Sequence, residues 1–198
     1  MVALTKKNKD LIIVVSGLPR SGTSLMMQIL QAAGVPLLVD NVRQSDVNNP
    51  RGYFEYQAVK NLKNDNQWLK YAKGKAVKII SHLLYHLPAE FQYKVIFMNR
   101  NLDEIIASQN RMLKNVGKVS EIDDDTLKRH YAAHLFDIGR WLTHQKNMEV
   151  RQINFHHLFE KPQTELAILS DFLNIAFNTK QIQQVIQPEL YRTKITGH

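Results

Sequence analysis

At 198 residues, with 44% hydrophobic and 22% charged residues, the chain has the make-up of one globular domain, taken as residues 1–198. It contains no cysteine, which excludes disulfides, thiolate nucleophiles and Cys-based zinc sites and is compatible with a reducing, cytoplasmic setting. A formal net charge of +8 favours anionic partners, but the basic residues are scattered, with no nucleic-acid motif or aromatic-interleaved basic stripe.

In chain order, the N-terminal lysines precede an apolar run, Leu11 to Val15. That run is too short for the h-region of a signal peptide and stops in a turn. No stretch reaches the roughly 18 apolar residues that a membrane span needs. The run itself predicts a first strand at 11–15, and a helix follows over about 23–33. Further strands are expected at 36–40, 75–80, 93–98 and 149–154. The first and fourth of the five are almost continuously apolar, as in strands covered on both faces. Helices are expected over about 55–70, after Asn101, over about 125–145, and after Pro162. The longest has Leu127, Tyr131, Leu135, Ile138 and Leu142 at spacings of three and four, the period of a helix with one apolar face. Strands alternating with helices predict an α/β three-layer sandwich around a mostly parallel sheet of about five strands. Residues 40–55 break the pattern: they are polar and turn-rich, and a loop of that length is usually functional or disordered.

The stretch SGLPRSGTS (16–24) runs from a strand into a helix, the context of a phosphate-binding loop. Unpaired N–H groups at the helix start and the helix dipole both favour an anion there. Gly22 lets backbone approach an oxygen, while Ser21, Thr23 and Ser24 add hydroxyl donors and Leu25 adds a backbone N–H. Arg20 adds a guanidinium suited to bidentate contact with phosphate or sulfate. The pattern G-x-x-x-x-G-K-[ST] is met at Gly17, Gly22 and Ser24, but Thr23 stands where a nucleotide kinase has lysine.

A second strand-to-helix passage, VIFMNRNLDEIIAS (95–108), puts Arg100 just past a strand end, where open α/β sheets bind ligands. Asn101 and Glu104 form an N-x-x-E capping pattern, and Ser108 follows two turns into the helix. A salt-bridged surface arginine and a small packing serine would explain these residues singly; together with the upstream loop they form a pair.

That pair resembles the signature of the sulfotransferases. SGLPRSGTSLMMQIL resembles the loop that binds the 5′-phosphosulfate of 3′-phosphoadenosine 5′-phosphosulfate (PAPS), and RNLDEIIAS the segment that binds its 3′-phosphate. VRQINFHHLFEKPQTELAILSDFL (150–173) and NPRGYFE (49–55) are similar to further family segments. The resemblance implies a P-loop NTPase-like fold and a sulfuryl transferase that uses PAPS, releases 3′,5′-adenosine bisphosphate and needs no metal. Its acceptor would be a small molecule, or a carbohydrate- or lipid-type hydroxyl or amine. It also accounts for the absent lysine, since sulfuryl transfer does not use the kinase pairing of lysine with magnesium. The alternatives are a P-loop kinase of small molecules, disfavoured by Thr23, and a non-catalytic nucleotide- or polyanion-binding module.

The resemblance assigns roles residue by residue. Arg20 would stabilise the departing 5′-phosphate, Ser21 to Ser24 would cradle it, and Arg100 with Ser108 would hold the 3′-phosphate. Two residues compete as the base that takes the acceptor proton. Glu55 matches the glutamate of tyrosylprotein-type relatives by context. His82, in VKIISHLL, is similar to the histidine of cytosolic members, though Ile80 departs from that pattern. Lys78, on the same strand as the His82 segment, would meet the sulfuryl oxygens. Phe155 would stack on adenine, and Arg192 or Lys194 would reach the nucleotide phosphates. His156 and His157 replace an acidic pair of the family, and a metal at these adjacent histidines is not expected.

Overall fold

The computed structural model describes residues 10–40, 42–187 and 191. Its centre is a four-stranded, wholly parallel sheet in the order β2-β1-β3-β4. The strands are β1 (Leu11–Gly17), β2 (Ala76–Lys78), β3 (Gln92–Asn99) and β4 (Met148–Asn154). The α-helices are α1 (Thr23–Ala32), α2 (Leu102–Asn115), α3 (Asp124–Thr143), α4 (His157–Glu160), α5 (Pro162–Leu173) and α6 (Thr179–Gln183).

The period of two in β1 builds the layers. Ile13 and Val15 face a core shared with Met26, Ile29 and Leu30 of α1 and Leu166, Leu169 and Leu173 of α5. Ile12 and Val14 face the opposite core, with Trp68, Leu69, Leu84, and Ile138 and Leu142 of α3. Fully burying one such aliphatic side chain is worth about 2 kcal/mol, so a strand covered on both faces fixes its register firmly. The register is in step from Leu11↔Gln92 to Gly17↔Met98, which brings the C-terminal ends of β1 and β3 to one edge of the sheet. Among the described residues no helix is long and apolar enough to cross a membrane.

Two expected elements form differently. Segment 36–40 is not a fifth strand: it makes a single parallel bridge, Leu37↔Ala76, with Leu38 N donating to Ala76 O at 2.8 Å. Pro36 has no N–H to extend the ladder, and β2 beside it is only three residues long. The helix expected over 55–70 is instead two 3₁₀ stretches, Gln57–Asn61 and Gln67–Tyr71. Asn61, Asn64, Asp65 and Asn66 lie between or at the ends of them, and Asp65 Oδ1 accepts from Gln67 N at 3.0 Å. Side chains of this kind compete with helical hydrogen bonding.

Candidate active site

Leu18 to Gly22 make the turn from β1 into α1. Gly22 has left-handed backbone (φ 101°), and a Cβ there would lie 2.8 Å from Phe155 Cε2. Arg20, which is not glycine, is also left-handed (φ 71°). Non-glycine residues hold such a conformation only when their surroundings enforce it. Here two crossing contacts do so. Arg100 Nη1 donates to the Arg20 carbonyl at 3.1 Å, and Arg20 Nε donates to Ser108 Oγ at 2.9 Å. The two motifs, 80 and 88 residues apart in these pairs, are thereby locked together.

The turn leaves donors available. The first bond of α1 runs from Met26 N to Gly22 O (3.1 Å), so the N–H groups of Thr23, Ser24 and Leu25 have no acceptor within the helix. Ser21 Oγ is buried beside Gly17 and has no hydrogen-bond partner among the described residues. Ser24 Oγ accepts from Asn49 Nδ2 (3.0 Å) and donates to Tyr53 O (3.3 Å), tying the loop 40–55 to the cradle.

Thr23, Ser24 and Leu25 open onto a cleft of about 310 Å³. Arg20, Arg43, Lys78, Arg100 and Arg111 line it, against one lining carboxylate, Glu55. Burial is the largest cause acting on Arg20 and pulls its pKa down; Tyr53 opposes the shift, and Arg100 and Arg43 reinforce it. Lys78 is buried, and burial lowers its pKa to about 8 against the opposing charge of Glu55. Its Nζ donates to Tyr53 O and lies 3.7 Å from Glu55 Oε1. Glu55 Oε1 also accepts from Arg43 Nη1 at 2.8 Å, and Arg43 lies over the Tyr53 ring, 3.4 Å from its centroid. Tyr53 in turn donates to Asp46, so residues 43–55 fold down as a braced loop.

Of the residues expected at the site, Arg20, Gly22, Thr23, Ser24, Leu25, Glu55, Lys78, Arg100, Ser108 and Phe155 all line this cleft. Ser21 is not among the lining residues: it is buried, with its hydroxyl beside Gly17. Nor is His82. It lies in the 3₁₀ stretch Ser81–His86, exposed, with its ring stacked on His134 of α3 at 3.6 Å between centroids. Burial lowers the pKa of both rings, and His82 lowers that of His134 further. Phe155 is buried, its ring against Gly22 and 4.2 Å beneath the Arg100 guanidinium. As it stands it supports the cradle. His156 and His157 lie beyond the end of β4, at the start of α4, and turn to different carboxylates, Glu104 (3.4 Å) and Glu165 (3.2 Å). Among the described residues no group of three metal-ligating side chains occurs. Arg192 and Lys194 lie outside the described residues.

Several lining residues carried no motif. Gln109, Arg111, Met112 and Asn115 extend the face of α2 that begins at Ser108, and a helical period counted from Ser108 points to the last three of them. The lining on this side comes from α2, with no residue of α3. Arg43 sits in the aperiodic loop, where spacing gives no signal.

The sulfotransferase domain family matches residues 9–191. The chain belongs to this family. Solved structures with a similar fold include the sulfotransferase domain from the curacin biosynthetic pathway, at 20% identity, TM-score 0.53, covering 90% of this chain and 78% of that one. The sulfotransferase domain of the Synechococcus PCC 7002 olefin synthase is similar at 16% identity, TM-score 0.53, covering 97% and 83%. Mouse sulfotransferase SULT7A1, solved in complex with PAP, is similar at 15% identity, TM-score 0.52, covering 89% of this chain and 62% of that one. No curated protein sequence matches significantly. In this chain the glycine-rich turn opens beside the strand-end Arg100, and the two are joined through Ser108 and the Arg20 carbonyl.

Proposed function

We propose that this member of the family transfers a sulfuryl group from PAPS to a hydroxyl or amine of a small-molecule acceptor. The observation that carries the reading is the crossed pair of contacts between Arg20 and Ser108 and between Arg100 and Arg20 O, which sets two anion-binding motifs at a fixed distance on one cation-rich cleft. A bisphosphorylated nucleotide has two anionic ends to satisfy. A single-ended phosphate ligand gives no reason for the second motif.

The residues present fit such a donor. The N–H groups of Thr23, Ser24 and Leu25, ahead of Met26, suit the 5′ end, with Arg20 beside them. Arg100 and Ser108 suit the 3′-phosphate, and Phe155 underlies Gly22 and Arg100. PAPS supplies the sulfuryl group: an acceptor-oxygen or acceptor-nitrogen to sulfur bond forms, the bond to the 5′-phosphate oxygen breaks, and 3′,5′-adenosine bisphosphate leaves.

The chain's part is positioning and charge stabilisation, with one proton to move. Arg20 faces charge growing at the 5′ end. Lys78, anchored on Tyr53 O beside Glu55, places a second cation at the same edge of the cleft. Glu55 is the base that receives the acceptor proton, because it lines the cleft and His82 does not. Arg43 and Lys78 hold its carboxylate from two sides and so fix the direction of its approach.

The test is transfer from sulfur-35-labelled PAPS to a panel of phenols, alcohols, sugars and amines, read by product mass. A labelled product from at least one class is expected. Tight binding of the bisphosphate with no product from any class would instead make the chain a binding module, and phosphorylated product from ATP would make it a kinase.

A further inference from the structure

The second motif contains a carboxylate that the chemistry above leaves unused. Glu104 is 1% exposed, the most buried acid among the described residues. An ionised carboxylate in that position must be fully paired to persist. Both of its oxygens are engaged. Oε2 accepts from Arg100 Nε at 3.0 Å. Oε1 accepts from the Tyr191 hydroxyl at 2.8 Å and lies 3.4 Å from His156 Nε2. Tyr191 and His156 also touch each other, with the hydroxyl 2.5 Å from Nδ1.

Around Arg100 these contacts close a frame. Its guanidinium lies 4.2 Å from the Phe155 ring centroid and 5.4 Å from that of Tyr191, one edge is taken by Glu104, and Nη1 is taken by Arg20 O. The rings set its plane and the two oxygens set its rotation within that plane. Three distant parts of the chain converge here: the start of α2, the end of β4 with α4, and the C-terminal segment through Tyr191. Burial and the Glu104 carboxylate both push the Tyr191 phenol up, so it remains a proton donor.

We propose that Glu104, with Tyr191 and His156, is a positioning network that holds Arg100 in place for the phosphate at the far end of the donor from the transferred group. Tyr191 is thereby part of the donor site. This rests on the reading of Arg100 as the 3′-phosphate ligand. Its benefit is preorganisation: an arginine already fixed loses little freedom when the phosphate arrives. The opposing effect is that Glu104 partly neutralises the same cation, so the two effects predict opposite signs.

The experiment is calorimetry of adenosine 3′,5′-bisphosphate and adenosine 5′-monophosphate with the full chain, Tyr191→Phe and Glu104→Gln. The wild type is expected to prefer the bisphosphate. In each variant that preference falls about five- to tenfold, the effect of one hydrogen bond's worth of orientation, because the bisphosphate Kd weakens more than the monophosphate Kd. An unchanged preference, an equal weakening of both nucleotides, or a gain of bisphosphate affinity in Glu104→Gln would overturn the proposal. If Glu104→Gln does not fold, Tyr191→Phe, which keeps the carboxylate and loses one hydroxyl, decides alone. A wild type with no preference would show instead that the donor reading fails, and would remove this network's role with it.

Discussion

Lys78 offers a test of the site's electrostatics that needs no substrate. The lysine is 9% exposed on β2, and burial depresses its pKa from the ordinary 10.5 to about 8, with Glu55 resisting the shift. Below pH 8 both folded and unfolded chains carry this proton, so the full cost of burying the charge is present and does not vary with pH. Between pH 8 and 10.5 the unfolded chain keeps the proton and the folded chain releases it, so unfolding free energy rises with pH. Across that window the rise approaches about 3 kcal/mol for a gap of this size. Other lysines and tyrosines titrate there too, so the quantity to measure is the difference between wild type and Lys78→Met. Urea unfolding from pH 7 to 10.5 should show the wild type gaining about 3 kcal/mol on the variant. A difference that stays flat, or that grows as pH falls, would refute the claim that Lys78 is held as a buried cation.

Three further outcomes follow from the cleft. Glu55→Gln should lower kcat by about 10²-fold or more, as removal of a general base does, while His82→Asn should leave kcat within about twofold; the reverse order would make the histidine the base. Arg20→Ala should lower kcat by about 10²-fold, and turnover within about threefold of wild type would show that Arg20 is not the cation opposite the leaving group. Gly22→Ala forces a side chain into the left-handed region and onto the Phe155 ring; thermal unfolding should register a loss of about 3 kcal/mol, and unaltered stability would mean that this turn is not packed as described.

The legible part of the fold was the part governed by periodicity. The nearly continuous apolar runs of β1 and β3 suit a sheet covered on both faces, and the three-four spacing of α3 marked one of the covers. Segment 36–40 misled because its composition suits a strand while Pro36 and the short β2 leave it little to pair with. Segment 55–70 misled because its apolar spacing ignores the Asn and Asp side chains that end each turn. At the site, Arg20, Arg100 and Ser108 lie on one cleft, but the contacts between them carry no sequence signal. Glu104 suited a helix cap by position, and its carboxylate instead turns to Arg100 and Tyr191, 87 residues apart from it in the second case. Arg43 was invisible because a loop without period reveals its partners only once folded.

The most direct measurement of the central claim is a calorimetric comparison of adenosine 3′,5′-bisphosphate with ATP plus magnesium. Two anion motifs fixed on one cleft predict that the bisphosphate binds at least about tenfold more tightly, about 1.4 kcal/mol, and without added metal. Preferential binding of magnesium-ATP would contradict the account and return the glycine-rich turn to the kinases.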